Sequence, residues 1–413
     1  MLPVFNTSKL SCRVSLCMST IFALSITLSA SGCGSGSTQV EKFAAPTYSE
    51  IYEFGDSITY GDGATSANGA TSLSLGYGNL MIADFEGHGI NFGVEGASSA
   101  DESDVMLKNY DPEPSNNPVV TSMIGTNDMN IYGLGYGAFQ NDVAGLIEWA
   151  TIPRNAKVFF TDSQCSPTGT WSNSTAYGFP GGVEQSATPA SAFTCTIVTK
   201  GPALYFGFMQ DTGWTTGSMT ILIDGAVPGN SATINSKNYY GNQYTYKFTT
   251  VRYPLAAGSH TVKVTAAGAG GVRGTIVPVW LGSAAPVGTD LPPKIFVADV
   301  PVQAGNLNAS VIAAYNAALL SDITQLQADG LPVVHVQQNT AASGSGGPLG
   351  TGWLNYGTDF TGGVVAGATC AASNNLPLHP GDCGHEHLRD AFEYYIQPVA
   401  QAAKADFNTP QLK

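Results

Sequence analysis

Two stretches in which short apolar runs alternate with helical periodicity flank a long stretch that contains strand-like runs only. The first stretch covers residues 49–160, and the alternation returns from about residue 294. Between them, over about 165–282, strand-like runs follow one another with turn residues and without helical periodicity. Alternating strands and helices are typical of a parallel sheet with crossover helices, and an uninterrupted series of strands is typical of a sandwich. The pattern therefore predicts one α/β domain that is interrupted by an inserted all-β sandwich.

Two local patterns support this division. The helix expected at the end of the first stretch has apolar residues at the spacing of one helical face, namely Phe139, Val143, Leu146, Ile147 and Ala150. In the middle stretch, Met219, Ile221 and Ile223 alternate with polar neighbours, as in a half-buried strand.

The N-terminus has the composition of a secretory signal. Lys9 and Arg13 precede an apolar-leaning run over residues 14–28, which gives way to small residues before Cys33. The run is short and rich in Ser and Thr for a membrane-spanning helix. The residues before Cys33 resemble a bacterial lipoprotein signal, whose cleavage leaves that Cys to be acylated, although Ala30 stands where the pattern prefers Leu.

We therefore predict a signal peptide over residues 1–32 and a linker over 33–47. Export follows in one of two forms: a lipoprotein anchored through Cys33 and facing the periplasm or the cell exterior, or a freely secreted protein. A contact with membranes is expected only through that anchor.

Four cysteines remain after the signal is removed and Cys33 is set aside: Cys165, Cys195, Cys370 and Cys383. An even number in an exported chain is typical of disulfides. Proximity in sequence favours the pairs Cys165–Cys195 and Cys370–Cys383, while the two other connectivities and four free thiols stay open. No pair has the two-residue spacing of a zinc knuckle, so no metal is expected there.

The charge balance excludes polyanionic partners. The chain has 16 Lys and Arg against 30 Asp and Glu, a net charge of −14, and loss of Lys9 and Arg13 with the signal makes it −16. Nucleic-acid binding needs clustered basic residues, which this chain lacks. We expect no nucleic-acid partner and a neutral substrate.

Four short blocks in the α/β stretches carry residues suited to chemistry. They are Phe54-Gly55-Asp56-Ser57-Ile58-Thr59, Asn91-Phe92-Gly93-Val94-Glu95-Gly96-Ala97-Ser98, Ile124-Gly125-Thr126-Asn127-Asp128 and Leu378-His379-Pro380-Gly381-Asp382-Cys383-Gly384-His385. Three follow predicted strands and the fourth precedes the last helix. Because ligands bind at the carboxyl ends of strands in open α/β sheets, we expect the four blocks to meet at one crevice. Each block alone also fits an ordinary turn.

Together and in this order, the blocks resemble those of the SGNH (GDSL) hydrolase family of esterases and lipases. The resemblance covers residues 48–162 and 289–405 and leaves the insert, residues 163–288, outside. It implies a flavodoxin-like three-layer α/β/α domain with a parallel sheet, without a metal or cofactor. The insert follows Gly169-Thr170-Trp171 and is similar to that of a bacterial exported subgroup.

The resemblance also implies the roles of individual residues. The nucleophile corresponds to Ser57 and the base to His379. The oxyanion hole corresponds to the backbone N–H groups of Ser57 and Gly96 and the side chain of Asn127. The chemistry is consistent with these roles, because a Ser hydroxyl needs a neutral imidazole within reach to become a nucleophile and the oxyanion needs fixed donors. A two-step acyl transfer is expected.

The sequence departs from the family at the acid of the triad. The family places Asp three residues before the catalytic His, and that position is Leu376. Three alternatives follow: a Ser–His dyad oriented by a backbone carbonyl or by Asn375, a carboxylate from Asp359, or one from Asp382. We favour the dyad.

Other candidates have simpler explanations. His385 and His387 are two residues apart on the last predicted helix and do not share a face, so a structural role is expected rather than a metal site. His335 lies in an apolar strand, where a core role is expected. Aromatic residues of the insert fit either the sandwich core or a sugar-stacking platform. They are Trp171, Trp214, Tyr239, Tyr240, Tyr244 and Tyr246.

Two functions remain in view. The first is a serine-dependent carboxylic-ester hydrolase that acts outside the cytoplasm on short acyl esters of carbohydrates or on small neutral esters. The alternative is a surface carbohydrate-binding protein with a weakly active or degenerate hydrolase domain. The joint presence of Ser57, Gly96, Asn127 and His379 favours the enzyme.

Overall fold

The first α/β stretch folds into three strands separated by helices. Its elements are β1 (Ile51–Gly55), α1 (Ser57–Tyr60), α2 (Tyr77–Asp84), β2 (Gly89–Asn91), α3 (Ser99–Asn109), β3 (Val119–Met123), a π-helical turn (Asp128–Tyr132) and α4 (Tyr136–Thr151). This computed structural model describes residues 50–64, 75–85, 88–110, 118–133, 135–177, 179, 181–211, 217–229, 233–235, 246–267, 275–284, 295–301, 309–339, 354, 359, 363–365, 368–370 and 379–396. All five apolar residues of the predicted α4 face are buried.

The middle stretch forms strands and one short turn of 3₁₀ helix (Arg154–Ala156). Its strands are β4 (Lys157–Phe159), β5 (Cys165–Thr168), β6 (Ser172–Ser174), β7 (Val183–Gln185), β8 (Ala192–Thr199), β9 (Ala203–Asp211), β10 (Ser218–Ile223), β11 (Thr233–Asn235), β12 (Tyr246–Pro254), β13 (Gly258–Ala266) and β14 (Val277–Ser283). The last stretch then returns to α/β structure. It contains β15 (Ile295–Ala298), α5 (Ala309–Ala328), β16 (Val333–Val336), the hairpin strands β17 (Gly363–Val365) and β18 (Ala368–Cys370), and α6 (Asp382–Ile396).

The parallel sheet draws its strands from both α/β stretches. Its order is β2-β1-β3-β15-β16, and every neighbouring pair is parallel. One face packs on α3, α4 and α5, and the other packs on α2 and α6. Both faces are therefore covered, which explains why the strand residues form nearly continuous apolar runs. The predicted three-layer α/β/α architecture is confirmed.

The insert is an antiparallel sandwich. One sheet has the order β11-β10-β13-β8-β5 and the other β12-β9-β14-β4. On β10 the alternating residues Met219, Ile221 and Ile223 are buried in the cluster that fills the sandwich, as the period of two predicts. The predicted all-β insertion is confirmed.

Cys165 and Cys195 form a disulfide between β5 and β8, where the two residues are directly opposite in the strand register. This confirms the first predicted pair. Cys383 is also disulfide-bonded, while the side chain of its expected partner, Cys370, lies outside the described residues. The second pairing stays a prediction.

Strand β4 belongs to the sandwich, although the predicted domain boundary assigns it to the α/β domain. The predicted boundary between residues 162 and 163 leaves β4 in the α/β part, but β4 pairs antiparallel with β14 in the second sheet of the sandwich. An apolar run of three residues does not reveal from sequence which sheet it joins. The domain limits otherwise stay predictions.

The sandwich shares an apolar core with the α/β layers. Trp149 of α4 lies with its ring centroid 6.3 Å from that of Phe248 on β12 and 6.1 Å from that of Trp280 on β14. All three side chains are buried in the same cluster. The Nζ atom of Lys157 lies 3.8 Å from the centroid of the Trp149 ring and donates to the Trp149 carbonyl.

Polar contacts cross the same interface. Arg252 of β12 donates two hydrogen bonds to the Asp329 carboxylate at the end of α5, with distances of 2.5 and 2.6 Å. The Tyr205 hydroxyl of β9 donates to the same carboxylate at 2.6 Å. Lys247 of β12 pairs with Asp101 in the first turn of α3. Apolar packing and paired charges together hold the insert against the helices.

No helix within the described ranges has the length and apolar character needed to span a membrane.

The contact between Arg252 and Asp329 should contribute measurably to stability. Arg252→Ala leaves a buried carboxylate without its cation, so we expect the free energy of unfolding to fall by about 2 kcal/mol in urea denaturation at pH 7. Breaking a fully buried ion pair costs about 3–5 kcal/mol. We expect a smaller loss here because the Arg252 side chain is 26% exposed. Arg154→Ala removes a more exposed pair with Asp162 and should cost less than about 1 kcal/mol. Equal losses in the two variants would contradict this role.

Glu53 makes the stability depend on pH. It is fully buried on β1, neither carboxylate oxygen has a hydrogen-bond partner among the described residues, and burial raises the pKa of Glu53 well above its ordinary value. The folded protein therefore keeps a proton that the unfolded chain releases. Its favourable contribution is complete below the ordinary pKa and is lost as the pH rises through the raised one.

Glu53→Gln replaces the titratable carboxyl group by a neutral amide of nearly the same shape. In thermal and urea unfolding we expect the variant to gain more than about 1 kcal/mol over the wild type at pH 8, the free energy of about one pKa unit. At pH 4 the two proteins should be nearly equal. A gain of the same size at both pH values would contradict the titration of Glu53.

Candidate active site

Ser57 and His379 meet at the carboxyl end of the parallel sheet. The Ser57 Oγ atom lies 2.7 Å from the His379 Nε2 atom. Ser57 follows β1 at the start of α1, and His379 lies just before α6. Both residues are buried, with exposures of 5% and 7%. This distance is that of a hydrogen bond. A Ser hydroxyl is activated as a nucleophile when it donates such a bond to a neutral imidazole.

A sharp strand-to-helix turn presents Ser57. The Asp56 side chain caps α1 by accepting from the backbone N–H of Ile58 at 2.9 Å. The helix ends after one turn at Gly61, which has a φ of +112° in the left-handed region that favours glycine. At Gly55 a Cβ atom would lie 2.0 Å from the Thr59 hydroxyl, so only glycine fits before the turn.

Gly96 and Asn127 lie in two loops that are hydrogen-bonded to each other. The Asn127 Nδ2 group donates to the carbonyl of Ala97 at 2.9 Å, and the Tyr132 hydroxyl donates to the carbonyl of Gly96 at 3.3 Å. Gly96 has a φ of +73°, and the space that a Cβ atom would occupy is open. The Asn127 side-chain amide carries two N–H hydrogens. The bond to Ala97 uses one of them, so the other can donate to an oxyanion. The oxyanion-hole role of the Ser57 and Gly96 N–H groups and of Asn127 stays a prediction.

The blocks are joined by further polar contacts. Asn91 donates to the carbonyl of Thr59 at 2.7 Å and so links the second block to α1. Ser99, the first residue of α3, donates through its N–H and its hydroxyl to the Asp128 carboxylate. The four blocks thus meet at one crevice, as the sequence predicts.

Two of these carboxyl groups titrate near neutrality. Burial raises the pKa of Asp56 to about 7, against the hydrogen bond from the N–H of Ile58. Burial also raises the pKa of Asp128 to about 6, against the hydrogen bonds from Ser99. Glu102 of α3 is buried beside them and has a raised pKa for the same reason. The turn that holds Ser57 is therefore surrounded by carboxyl groups that burial makes easier to protonate.

The three residues proposed from the sequence to orient His379 lie in different places in the chain. Asn375 lies outside the described residues. The Asp359 carboxylate lies 3.0 Å from Nδ1 of His387, which gives this acid a partner on α6. Asp382 is the first residue of α6. The identity of the group that orients His379 stays a prediction.

Sequence reasoning missed Asp62. Its Oδ2 atom lies 3.9 Å from the Nε2 atom of His379, the nitrogen that contacts Ser57. Only its position five residues after Ser57 marks it in the sequence, since Gly61-Asp62-Gly63 reads as a plain turn.

His385 and His335 have structural partners. His385 is fully buried; its Nδ1 atom accepts from the N–H of Tyr77, and its Nε2 atom donates to the carbonyl of Asp62 at 3.0 Å. Burial lowers the pKa of His385 to about 4, so the ring is neutral. His335 pairs with Asp299 at 2.7 Å. Among the residues that the structure describes, no group of three His, Cys, Asp or Glu side chains is arranged to hold a metal.

The aromatic residues of the insert divide into two groups. Trp171 is partly buried, and its ring centroid lies 4.4 Å from that of Phe193 in the sandwich. The others fall outside the described side chains, namely Trp214, Tyr239, Tyr240, Tyr244 and Tyr246. A sugar-stacking platform on the insert stays a prediction.

A Ser at the end of a strand is hydrogen-bonded to a His, and the loops of Gly96 and Asn127 lie in the neighbouring blocks. This arrangement is consistent with the site of a hydrolase. The profile of the GDSL-like lipase/acylhydrolase family matches residues 54–191. The predicted family resemblance is thereby confirmed over a region that contains the first three blocks: the chain carries a GDSL-like acylhydrolase domain and is an ester-hydrolysing enzyme. A comparison with curated protein sequences found no significant match.

Several solved structures resemble parts of the chain at low identity. A two-domain esterase (CEX) active on acetylated mannans is 11% identical with a TM-score of 0.34, over 58% of this chain and 91% of that chain. The CBM36-1 domain of a multidomain xylanase from the hindgut metagenome of Trinervitermes trinervoides is 13% identical with a TM-score of 0.24, over 30% and 92%. A family 35 carbohydrate-binding module from an environmental isolate is 15% identical with a TM-score of 0.25, over 30% and 89%. At these TM-scores the similarities carry no argument about substrate or mechanism.

Asn127 provides a test of the oxyanion hole. Asn127→Ala should lower kcat on an aryl ester about 100-fold with little change in KM, because an oxyanion donor acts mainly in the transition state. Asn109→Ala is the matched control, since Asn109 also donates its amide to a backbone carbonyl but lies exposed at the end of α3. Thermal unfolding of both variants separates a loss of fold from a loss of catalysis. A decrease of less than about threefold for Asn127→Ala would contradict the assignment.

Proposed function

We propose that the protein is a serine-dependent carboxylic-ester hydrolase. The observation that carries the proposal is the hydrogen bond between Ser57 Oγ and His379 Nε2, 2.7 Å long, at the carboxyl edge of the sheet. A nucleophile within reach of its base is the minimum that acyl transfer needs. The linked loops of Gly96 and Asn127 add candidate donors for the oxyanion beside it.

The reaction has two steps. Ser57 Oγ attacks the ester carbonyl carbon while its proton passes to His379 Nε2, and a tetrahedral oxyanion forms. The bond from the carbonyl carbon to the alcohol oxygen then breaks, and His379 gives its proton to the leaving alcohol. Water repeats the sequence on the acyl-enzyme, with His379 as the base, and releases the acid and free Ser57.

The surroundings of the crevice favour a small neutral substrate. Asp62 lies beside His379 and Glu95 interacts with Asp62, so acidic groups near the base disfavour anionic esters. Two exposed apolar side chains come from the neighbouring loops: Val94 precedes Gly96 by two residues, and Ile131 precedes the Tyr132 that bonds the Gly96 carbonyl. These features support short acyl groups, on carbohydrates or on other small neutral alcohols, as substrates.

We also propose that the enzyme acts outside the cytoplasm. The signal-like segment before Cys33 supports export. The disulfide between Cys165 and Cys195 is consistent with an oxidising compartment. Detection of the mature N-terminus by mass spectrometry distinguishes an acylated Cys33 from a freely secreted chain.

A panel of aryl esters of increasing acyl length tests the proposal. We expect turnover to be highest for acetyl and butyryl esters and to fall at least about 1,000-fold in Ser57→Ala, because the nucleophile is lost. Ser166→Ala, an exposed Ser of β5, is the matched control and should retain full activity. Activity that survives Ser57→Ala would contradict the serine mechanism, and a maximum at long acyl chains would contradict the substrate class.

A further inference from the structure

A carboxylate lies beside the reactive nitrogen of the base. The Oδ2 atom of Asp62 is 3.9 Å from His379 Nε2, while Ser57 Oγ is 2.7 Å from the same nitrogen. The family pattern would place an acid three residues before the base, and this chain has Leu376 there. Asp62 thus approaches the imidazole from the edge where the proton transfer takes place.

The backbone of Asp62 is fixed on both sides. Its N–H donates to the carbonyl of Ser57 at 2.9 Å, which continues the turn of α1. Its carbonyl accepts from Nε2 of His385, a fully buried and neutral ring on α6. The N–H of Tyr77 donates to the other ring nitrogen of His385, so the tautomer of His385 is set. The position of Asp62 relative to Ser57 and α6 is therefore built into the fold.

Charged and titratable groups from several elements face this pair, and on α6 Asp382 acts on His385. His379 interacts with Asp62 and with the neutral His385 of α6. Asp62 interacts with His379, with Glu95 from the loop after β2, and with Asp56 before α1. Partial burial raises the pKa of Asp62, the attraction of His379 opposes the rise, and Glu95 adds to it. The Asp62 side chain is 26% exposed, so its charge is only partly screened by water.

We propose that Asp62 is the positioning and charge-stabilising residue of His379, acting at the Nε2 edge of the imidazole. The inference rests on the proposed serine mechanism. When Ser57 attacks, its proton moves to Nε2 and the ring becomes cationic. An opposite charge within about 4–6 Å favours the charged form of a group, so Asp62 lowers the free energy of the imidazolium and of the transition state that leads to it.

The pH dependence of the reaction distinguishes this role from a structural one. Without the carboxylate, the imidazolium of the free enzyme is less favoured, and His379 remains a neutral base at lower pH. In Asp62→Asn we expect the acid limb of the kcat/KM profile to move down by about one pH unit. We expect kcat at its plateau to fall about 10- to 100-fold. A change that only disturbed the fold would lower activity without moving the limb in this direction.

Two further variants complete the experiment. Asp62→Glu restores the charge and should return the acid limb most of the way to its wild-type position. Asp224→Asn is the matched control, because Asp224 pairs with His260 on the sandwich at 2.7 Å and its loss removes the same charge from an unrelated Asp–His pair. We expect it to leave both kcat and the limb unchanged.

The outcomes separate this inference from the proposed function. If turnover depends on Ser57 and Asp62→Asn shifts the limb downward with a reduced kcat, the inference is supported. If turnover depends on Ser57 but the acid limb of the kcat/KM profile of Asp62→Asn is that of the wild type, Asp62 does not stabilise the His379 imidazolium. The inference is then overturned, whether or not kcat falls. If Ser57→Ala retains turnover, the proposed function itself fails, and the role of Asp62 fails with it.

Discussion

The hydrogen bond between Ser57 and His379 joins two residues that lie 322 positions apart in the chain. Ser57 is fixed by the first strand of the sheet, and His379 is fixed by α6 near the end of the chain. The bond forms because α6 packs against α2 and the sheet through Leu388, Phe392 and their neighbours. The reactive pair is thus a consequence of tertiary packing, and damage to the face that carries α2 and α6 would separate nucleophile from base without touching either.

The inserted sandwich has to be accommodated without disturbing that packing, and its position explains how. It docks on the other layer, through α3, α4 and the end of α5, where Trp149, Phe248 and Trp280 share one core. Since Lys247 pairs with Asp101 in the first turn of α3, the insert is also tied to the helix that follows the Gly96 loop. The insert is an integral part of the hydrolase in this structure, since neither part encloses that core alone. A test of glycan binding by the insert should accordingly use the full chain.

The order of short motifs was sufficient to predict much of this architecture. Blocks at strand ends predict that Ser57 and His379 belong to one crevice, because parallel strands place their carboxyl ends at one edge. Periodicity predicts the buried face of α4 and the alternation on β10, since burial on one face fixes the pattern. The pairing of Cys165 with Cys195 follows from proximity in sequence.

Features set by loops and by long-range packing were not visible in the sequence. The membership of β4 in the sandwich depends on a partner strand about 120 residues away, β14. The place of Asp62 depends on a hydrogen bond from His385, and the pairing of Asp359 with His387 likewise depends on how the last loop approaches α6. Such contacts join residues that no local pattern connects.

Covalent labelling tests most directly whether Ser57 is a nucleophile that His379 activates. The protein is treated with an aryl fluorophosphonate, which phosphonylates an activated Ser hydroxyl and releases fluoride, and the digest is analysed by mass spectrometry. A single adduct on the peptide that contains Ser57, formed in the wild type and lost in His379→Ala, is the predicted result. No adduct, an adduct on another residue, or labelling of Ser57 that is unchanged in His379→Ala would contradict it.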